Sequence, residues 1–142
     1  DFCLSRGLGD VYKRQIRKLM DALEKAQIPM AIATSSSINN IRPALEHLNL
    51  VERVPVIVGR EDVEEVKPAP DLYLTAVQQL NLNPVSCLAI EDSVNGATAA
   101  QLAGLGVIVN TNVMTEAMDF STLDLEAMNV SAETIIERYF KS

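Results

Sequence analysis

Leu88-Ala-Ile-Glu-Asp-Ser-Val-Asn-Gly96 decides the fold. Its apolar run, Cys87 to Ile90, is short and uninterrupted, as expected of a strand buried on both faces of a parallel sheet. Two carboxylates, Glu91 and Asp92, follow directly. Val94 to Ala103 then reads as a helix of small residues, with Gly104 as its C-cap. A second strand, Val107 to Val109, comes next. Working outward, the same alternation recurs. Ile16, Leu19, Met20 and Leu23 fall at helical spacing, so about Ile16 to Gln27 is an amphipathic helix ended by Pro29. Met30 to Ala33 is another wholly apolar strand. Ile38, Ile41, Leu45 and Leu48 mark a second helix; Pro43 disfavours a long one, which puts its start near Asn39 or Asn40. Val54 to Val58 is a strand. Lys67 to Asp71 is a proline-rich turn, and a helix follows through Leu72, Ala76, Val77 and Leu80. Ser131 caps a last helix carrying Ile135, Ile136, Tyr139 and Phe140. Asn110 to Val130 is the least regular stretch, with a short strand expected around Asp119 to Leu123. Strands alternating with helices predict an α/β layer sandwich with right-handed crossovers.

The chain has 142 residues, 48% of them hydrophobic, which is the size and content of one domain with a single core. A net charge of −7 argues against a nucleic-acid partner. No apolar run reaches the roughly 20 residues that span a bilayer. Two cysteines, Cys3 and Cys87, make neither a disulfide framework nor a zinc site, so a reduced cytoplasmic setting is the simplest reading. Residues 1–15 stand apart. They have no helical or strand period and carry a charge of +1, against −8 for the remainder. They resemble translated adapter sequence and read as a non-native or disordered leader, leaving 16–142 as the folded part.

The chemistry falls where ligands bind in open parallel sheets, beyond the carboxyl ends of the strands. Thr34, Ser35 and Ser36 follow one strand, Glu91 and Asp92 another, and Lys67 lies in a turn that enters a helix. Hydroxyls and N–H groups at a strand-to-helix turn can hold a phosphate. A lysine ammonium neutralises phosphate oxygens. Paired carboxylates suit Mg²⁺, which keeps waters and substrate phosphate as its other ligands. Gly96 would let the loop backbone approach the metal closely, with Ser93 and Asn95 supporting the loop. Each piece alone has a plainer explanation: turn residues, a surface lysine, a solvated helix start. Their combination, in this order on alternating elements, fits phosphoryl transfer. Glu61 to Glu65 reads as a solvated acidic stretch, His47 as the polar side of a helix, and Cys87 as a small core residue at a strand start.

Ala31-Ile-Ala-Thr-Ser-Ser36, Lys67-Pro-Ala-Pro-Asp71 and Ile90-Glu-Asp-Ser-Val-Asn-Gly-Ala97 resemble the haloacid dehalogenase superfamily. The nearest likeness is to its phosphoglycolate phosphatases, sugar-phosphate phosphatases and β-phosphoglucomutases. The resemblance runs from about Ile16 to the C-terminus. It implies a three-layer Rossmann-like core and a Mg²⁺-dependent phosphohydrolase acting on a small phosphorylated metabolite, with a hexose-phosphate mutase as the alternative. It implies that Thr34 and Lys67 act at the phosphate, with Ser35 and Ser36 beside them, and that Asp92, assisted by Glu91, binds Mg²⁺. It also implies an opening strand with an Asp-x-Asp motif, whose first aspartate attacks phosphorus, and a helical cap. Neither is found, so the chain reads as a fragment lacking the central strand, the nucleophile and the cap, and inactive alone. The missing strand would lie between Met30–Ala33 and Leu88–Ile90, which must then pair directly or stand apart.

Two other classes fit less well. A signalling receiver presents its acidic residues before Thr and Lys, whereas here they come last. A dinucleotide-binding domain needs a Gly-x-Gly-x-x-Gly after its first strand. A non-catalytic phosphate- or Mg²⁺-binding module remains the alternative to an enzyme.

Overall fold

The computed structural model describes residues 10–112 and 114–140. In chain order these form α1 (Asp10–Lys25), β1 (Ala31–Ala33), α2 (Ile38–His47), β2 (Val56–Val58), α3 (Asp71–Gln79), β3 (Leu88–Glu91), α4 (Val94–Leu102), β4 (Gly106–Val109), β5 (Ala127–Met128) and α5 (Ala132–Ile135), the last continuing as a wider turn to Phe140. All strand pairs are parallel. β1 pairs with β2, and β3, β4 and β5 form a second sheet in that order.

Side-chain alternation along the strands builds three layers. Ala33 of β1, Val56 and Val58 of β2, Ala89 of β3, and Val107 and Val109 of β4 pack with Leu72, Tyr73 and Ala76 of α3 and the alanines of α4. Successive strand residues face oppositely. Ile32 accordingly joins Ile16 and Met20 of α1 and Leu45 of α2. Ile108 joins Leu19 and Leu23 of α1 and Ile135 of α5 on the same side. Helix α4 is nearly all small residues, with Ala97, Ala99 and Ala100 fully buried, so its backbone lies close against β3 and β4.

β1 and β3 do not pair with each other. Of the two outcomes open to these strands, they stand apart. A cavity of about 720 Å³ runs between the two sheets, lined by Met30–Ala33 on one side and Leu88–Ile90 on the other. Helix α3 bridges the division, packing on β1 and β2 and also on α4.

Several boundaries differ from the sequence reading. Helix α1 begins at Asp10, not Ile16, so Asp10–Gln15 of the leader are helical; Gln15 Oε1 accepts from Ala132 N at 3.2 Å, joining α1 to α5. Residues 1–9 lie outside the described residues. Ser37, not Asn39 or Asn40, caps α2: its hydroxyl accepts from Asn40 N, and Pro43 is carried inside the helix. Val54 is buried but precedes β2. No strand forms at 119–123; Asp119 closes a tight turn by accepting from Ser121 N, and Phe120 plugs into the core with Leu123 packed beside it. The last strand is instead Ala127–Met128. Cys87 is half-buried just before β3, with its Sγ against Asn83 O, because the chain is still in the preceding 3₁₀ turn; it is not a core residue. Gly104, with φ of 91°, ends α4 as expected, and His47 is exposed.

Candidate active site

The polar groups gather at the carboxyl ends of β1 and β3. Thr34, Lys67, Glu91 and Asp92 are all buried polar residues. Thr34 continues β1 through its N–H to Val58 O at 2.9 Å, and its Oγ1 accepts from Ser36 N at 3.1 Å, which folds the hydroxyl loop back on itself. Ser35 Oγ accepts from Lys67 N at 3.3 Å, so this hydroxyl holds the lysine's backbone. Ser37 is spent on the cap of α2. The Lys67–Pro68 peptide bond is cis.

The Lys67 side chain crosses to both sheets. Its Nζ donates to Ala33 O of β1 at 2.9 Å and to Glu91 Oε1 of β3 at 2.6 Å. It lies 5.0 Å from the centre of the Tyr73 ring. Tyr73 Oη donates to the same Glu91 oxygen. Among the described residues, the Lys67 ammonium thus joins the two half-sheets at this end.

Burial pushes the Glu91 carboxyl up, but attraction to positive charge, that of Lys67 first, outweighs it and leaves the group below its ordinary value. Burial, reinforced by the Glu91 and Asp92 charges, holds the Tyr73 hydroxyl well above its own. Glu91 is therefore ionised and Tyr73 is a neutral donor at neutral pH.

A family model for haloacid dehalogenase-like hydrolases matches residues 11–110. The chain belongs to this family. Protein CbbY of Rhodobacter capsulatus is 34% identical over 126 residues, covering 82% of this chain and 53% of CbbY. Fructose-1-phosphate phosphatase YqaB of Escherichia coli is 34% identical over 80 residues, covering 56% of this chain and 43% of YqaB. Among solved structures, a mutant CbbY from Rhodobacter sphaeroides in complex with xylulose-(1,5)bisphosphate superposes with a TM-score of 0.77 at 31% identity, covering 83% of this chain and 53% of that one. This haloacid dehalogenase-like chain spans about half the length of the curated relatives it matches.

The residues singled out from the sequence divide into two groups. Thr34, Ser35, Ser36, Lys67, Glu91 and Asp92 come together at the carboxyl ends of β1 and β3. Asn95 is exposed, and Ser93 acts as the cap of α4, accepting from Gly96 N. At Gly96 the close approach seen is to the Glu91 carboxylate. A Cβ there would stand 1.9 Å from Glu91 Oε2, so the missing side chain makes room for the carboxylate.

Two further residues belong to the site. Tyr73 sits between apolar neighbours of α3, where an aromatic reads as core. Asn112, in the loop after β4, donates through Nδ2 to Asp92 Oδ2 at 3.1 Å. Its Oδ1 accepts from Met114 N and its own N–H donates to Thr115 Oγ1, so the amide is fixed with its donor toward the carboxylate. The sequence marks the loop after β4 only as the start of its least regular stretch, Asn110 to Val130.

The donor set fits a hard cation only in part. Among the described residues no group of three or more His, Cys, Asp and Glu could hold a metal ion. Glu91 is engaged by Lys67 and Tyr73, so Asp92 is the carboxylate placed to serve as one ligand of an ion that keeps waters.

Proposed function

We propose that this chain carries the phosphate-handling part of a Mg²⁺-dependent phosphohydrolase acting on a small phosphate monoester, a phosphorylated sugar or phosphoglycolate, in the cytoplasm. The observation that carries this reading is the Lys67 ammonium, held between Ala33 O and Glu91 at the strand ends next to Thr34. Thr34 and the Ser35–Ser36 loop would bind phosphate oxygens, and Lys67 would neutralise them. Asp92, oriented by Asn112, would be the protein ligand to Mg²⁺, which supplies charge neutralisation of the phosphoryl group when bound. Glu91 holds Lys67 in place. The relatives support the substrate class: one is named for fructose 1-phosphate, and another was solved with a pentulose bisphosphate.

Chemistry in this reading needs an aspartate nucleophile that forms an aspartyl-phosphate, later hydrolysed by water. The sequence has no Asp-x-Asp. The purified chain should therefore not turn over p-nitrophenyl phosphate with Mg²⁺. A Mg²⁺-dependent rate that disappears in Asp92→Ala would show that another group supplies the nucleophile.

A further inference from the structure

Tyr73 belongs to the site but has no role in the function proposed above, and it touches the phosphate-handling residues at two points. It is the third residue of α3 and only 9% exposed. Its hydroxyl donates to Glu91 Oε1, the same oxygen that accepts from Lys67 Nζ. Its ring stands 5.0 Å from that ammonium. We propose that Tyr73 is a positioning residue, which fixes the Glu91 carboxylate and through it aims the Lys67 ammonium at the phosphate subsite; the last step rests on the function proposed above.

The geometry explains why an ion pair alone would not suffice. A lysine head is a compact charge on a flexible four-carbon stem, with three rotatable donors. Among the described residues its acceptors are Ala33 O and Glu91 Oε1, which leaves one N–H to direct toward a ligand. The direction of that N–H depends on where Glu91 Oε1 lies. The Tyr73 hydroxyl comes from a different element and pins the oxygen. The ring face meets the ammonium as well, a contact attractive to a cation. Tyr73 is a positioning residue and not a catalytic one, because its hydroxyl is engaged by Glu91.

Tyr73→Phe keeps the ring and removes the pinning hydrogen bond. The experiment is ¹⁵N–¹H NMR of the Lys67 side-chain ammonium in the whole chain, alongside calorimetric titration with inorganic phosphate in the presence of Mg²⁺. In the unsubstituted chain the ammonium should give a slowly exchanging cross-peak, with Overhauser contacts to the Tyr73 ring protons. In Tyr73→Phe the cross-peak should broaden away, and phosphate affinity should fall about tenfold, the scale of losing a hydrogen bond to a charged group. A cross-peak unchanged in Tyr73→Phe overturns the proposal. If that variant does not fold, absence of the ring contacts in the unsubstituted chain overturns it equally. Loss of the cross-peak in a chain that never binds phosphate upholds the positioning role and refutes the phosphate reading instead.

Discussion

Glu91→Ala is expected to destabilise the chain by about 3–5 kcal/mol, the usual consequence of leaving one partner of a buried ion pair uncompensated. The side chains of Lys67 and Glu91 are 3% and 1% exposed, so water cannot take over from the missing carboxylate. Against a total of about 5–15 kcal/mol for ordinary domains, this removes a large share of the stability. The position in the fold adds to the effect. β1 and β3 share no hydrogen bonds, and Lys67 joins them by bonding Ala33 O and Glu91 together. Thermal unfolding should shift down by roughly 10–20 °C. Lys67→Met combined with Glu91→Leu should recover part of the loss, because no buried charge is then left alone although the Tyr73 hydroxyl loses its acceptor. Acid acts on the same pair. The folded carboxyl lies below its ordinary value of 4.5, so its contribution is present above that pH and is lost as pH falls through the folded value. Glu91→Ala should flatten that part of the stability profile. A melting temperature within about 3 °C of the unsubstituted chain would show that the pair is not holding the two sheets.

Gly96→Ala should destabilise by about 1–3 kcal/mol, the range for overpacking a tight interior. Position 96 lies in the first turn of α4, where alanine would ordinarily help by about 1 kcal/mol. Sterics reverse the sign. The added Cβ would meet Glu91 Oε2 at 1.9 Å and Cδ at 2.2 Å. A carboxylate at the surface could swing aside. This one is gripped by Lys67 and Tyr73, so moving it breaks both bonds. The two substitutions should therefore be coupled. In a Glu91→Ala background there is no carboxylate to strike, and Gly96→Ala should become neutral or mildly stabilising. Equal cost in both backgrounds, read from denaturant unfolding, would mean the clash is not with Glu91.

What the sequence made legible follows from burial. β1, β3 and β4 lie between two helical layers, so both faces are apolar and the runs Met30–Ala33, Leu88–Ile90 and Val107–Val109 declare themselves. The helix of small residues after β3 is equally plain, since only such residues let α4 lie so close to the strands. Thr34, Lys67 and the acidic pair stand out in the sequence because an open parallel sheet places ligand-facing polar groups at its strand ends. Regions ruled by single residues were not legible. Phe120 and Leu123 suggest a strand by their apolarity, but they anchor a loop whose turn is set by Asp119. β5 is two residues long and carries no period. Tyr73 was hidden because a side chain buried at helical spacing looks like core, and nothing in one dimension brings its hydroxyl to Glu91. Asn112 was hidden because its amide is oriented by loop hydrogen bonds rather than by any repeat.

The central claim is that Thr34, Lys67 and the acidic pair form a phosphate site at the joined strand ends. Calorimetric titration of the purified chain with inorganic phosphate in Mg²⁺, repeated for Thr34→Val and Thr34→Ser, tests it most directly. The account predicts saturable binding that weakens about tenfold in the valine variant, which removes the hydroxyl at little change in volume, and persists in the serine variant. No saturable binding in the folded chain, or equal affinity in a folded Thr34→Val chain, would contradict it.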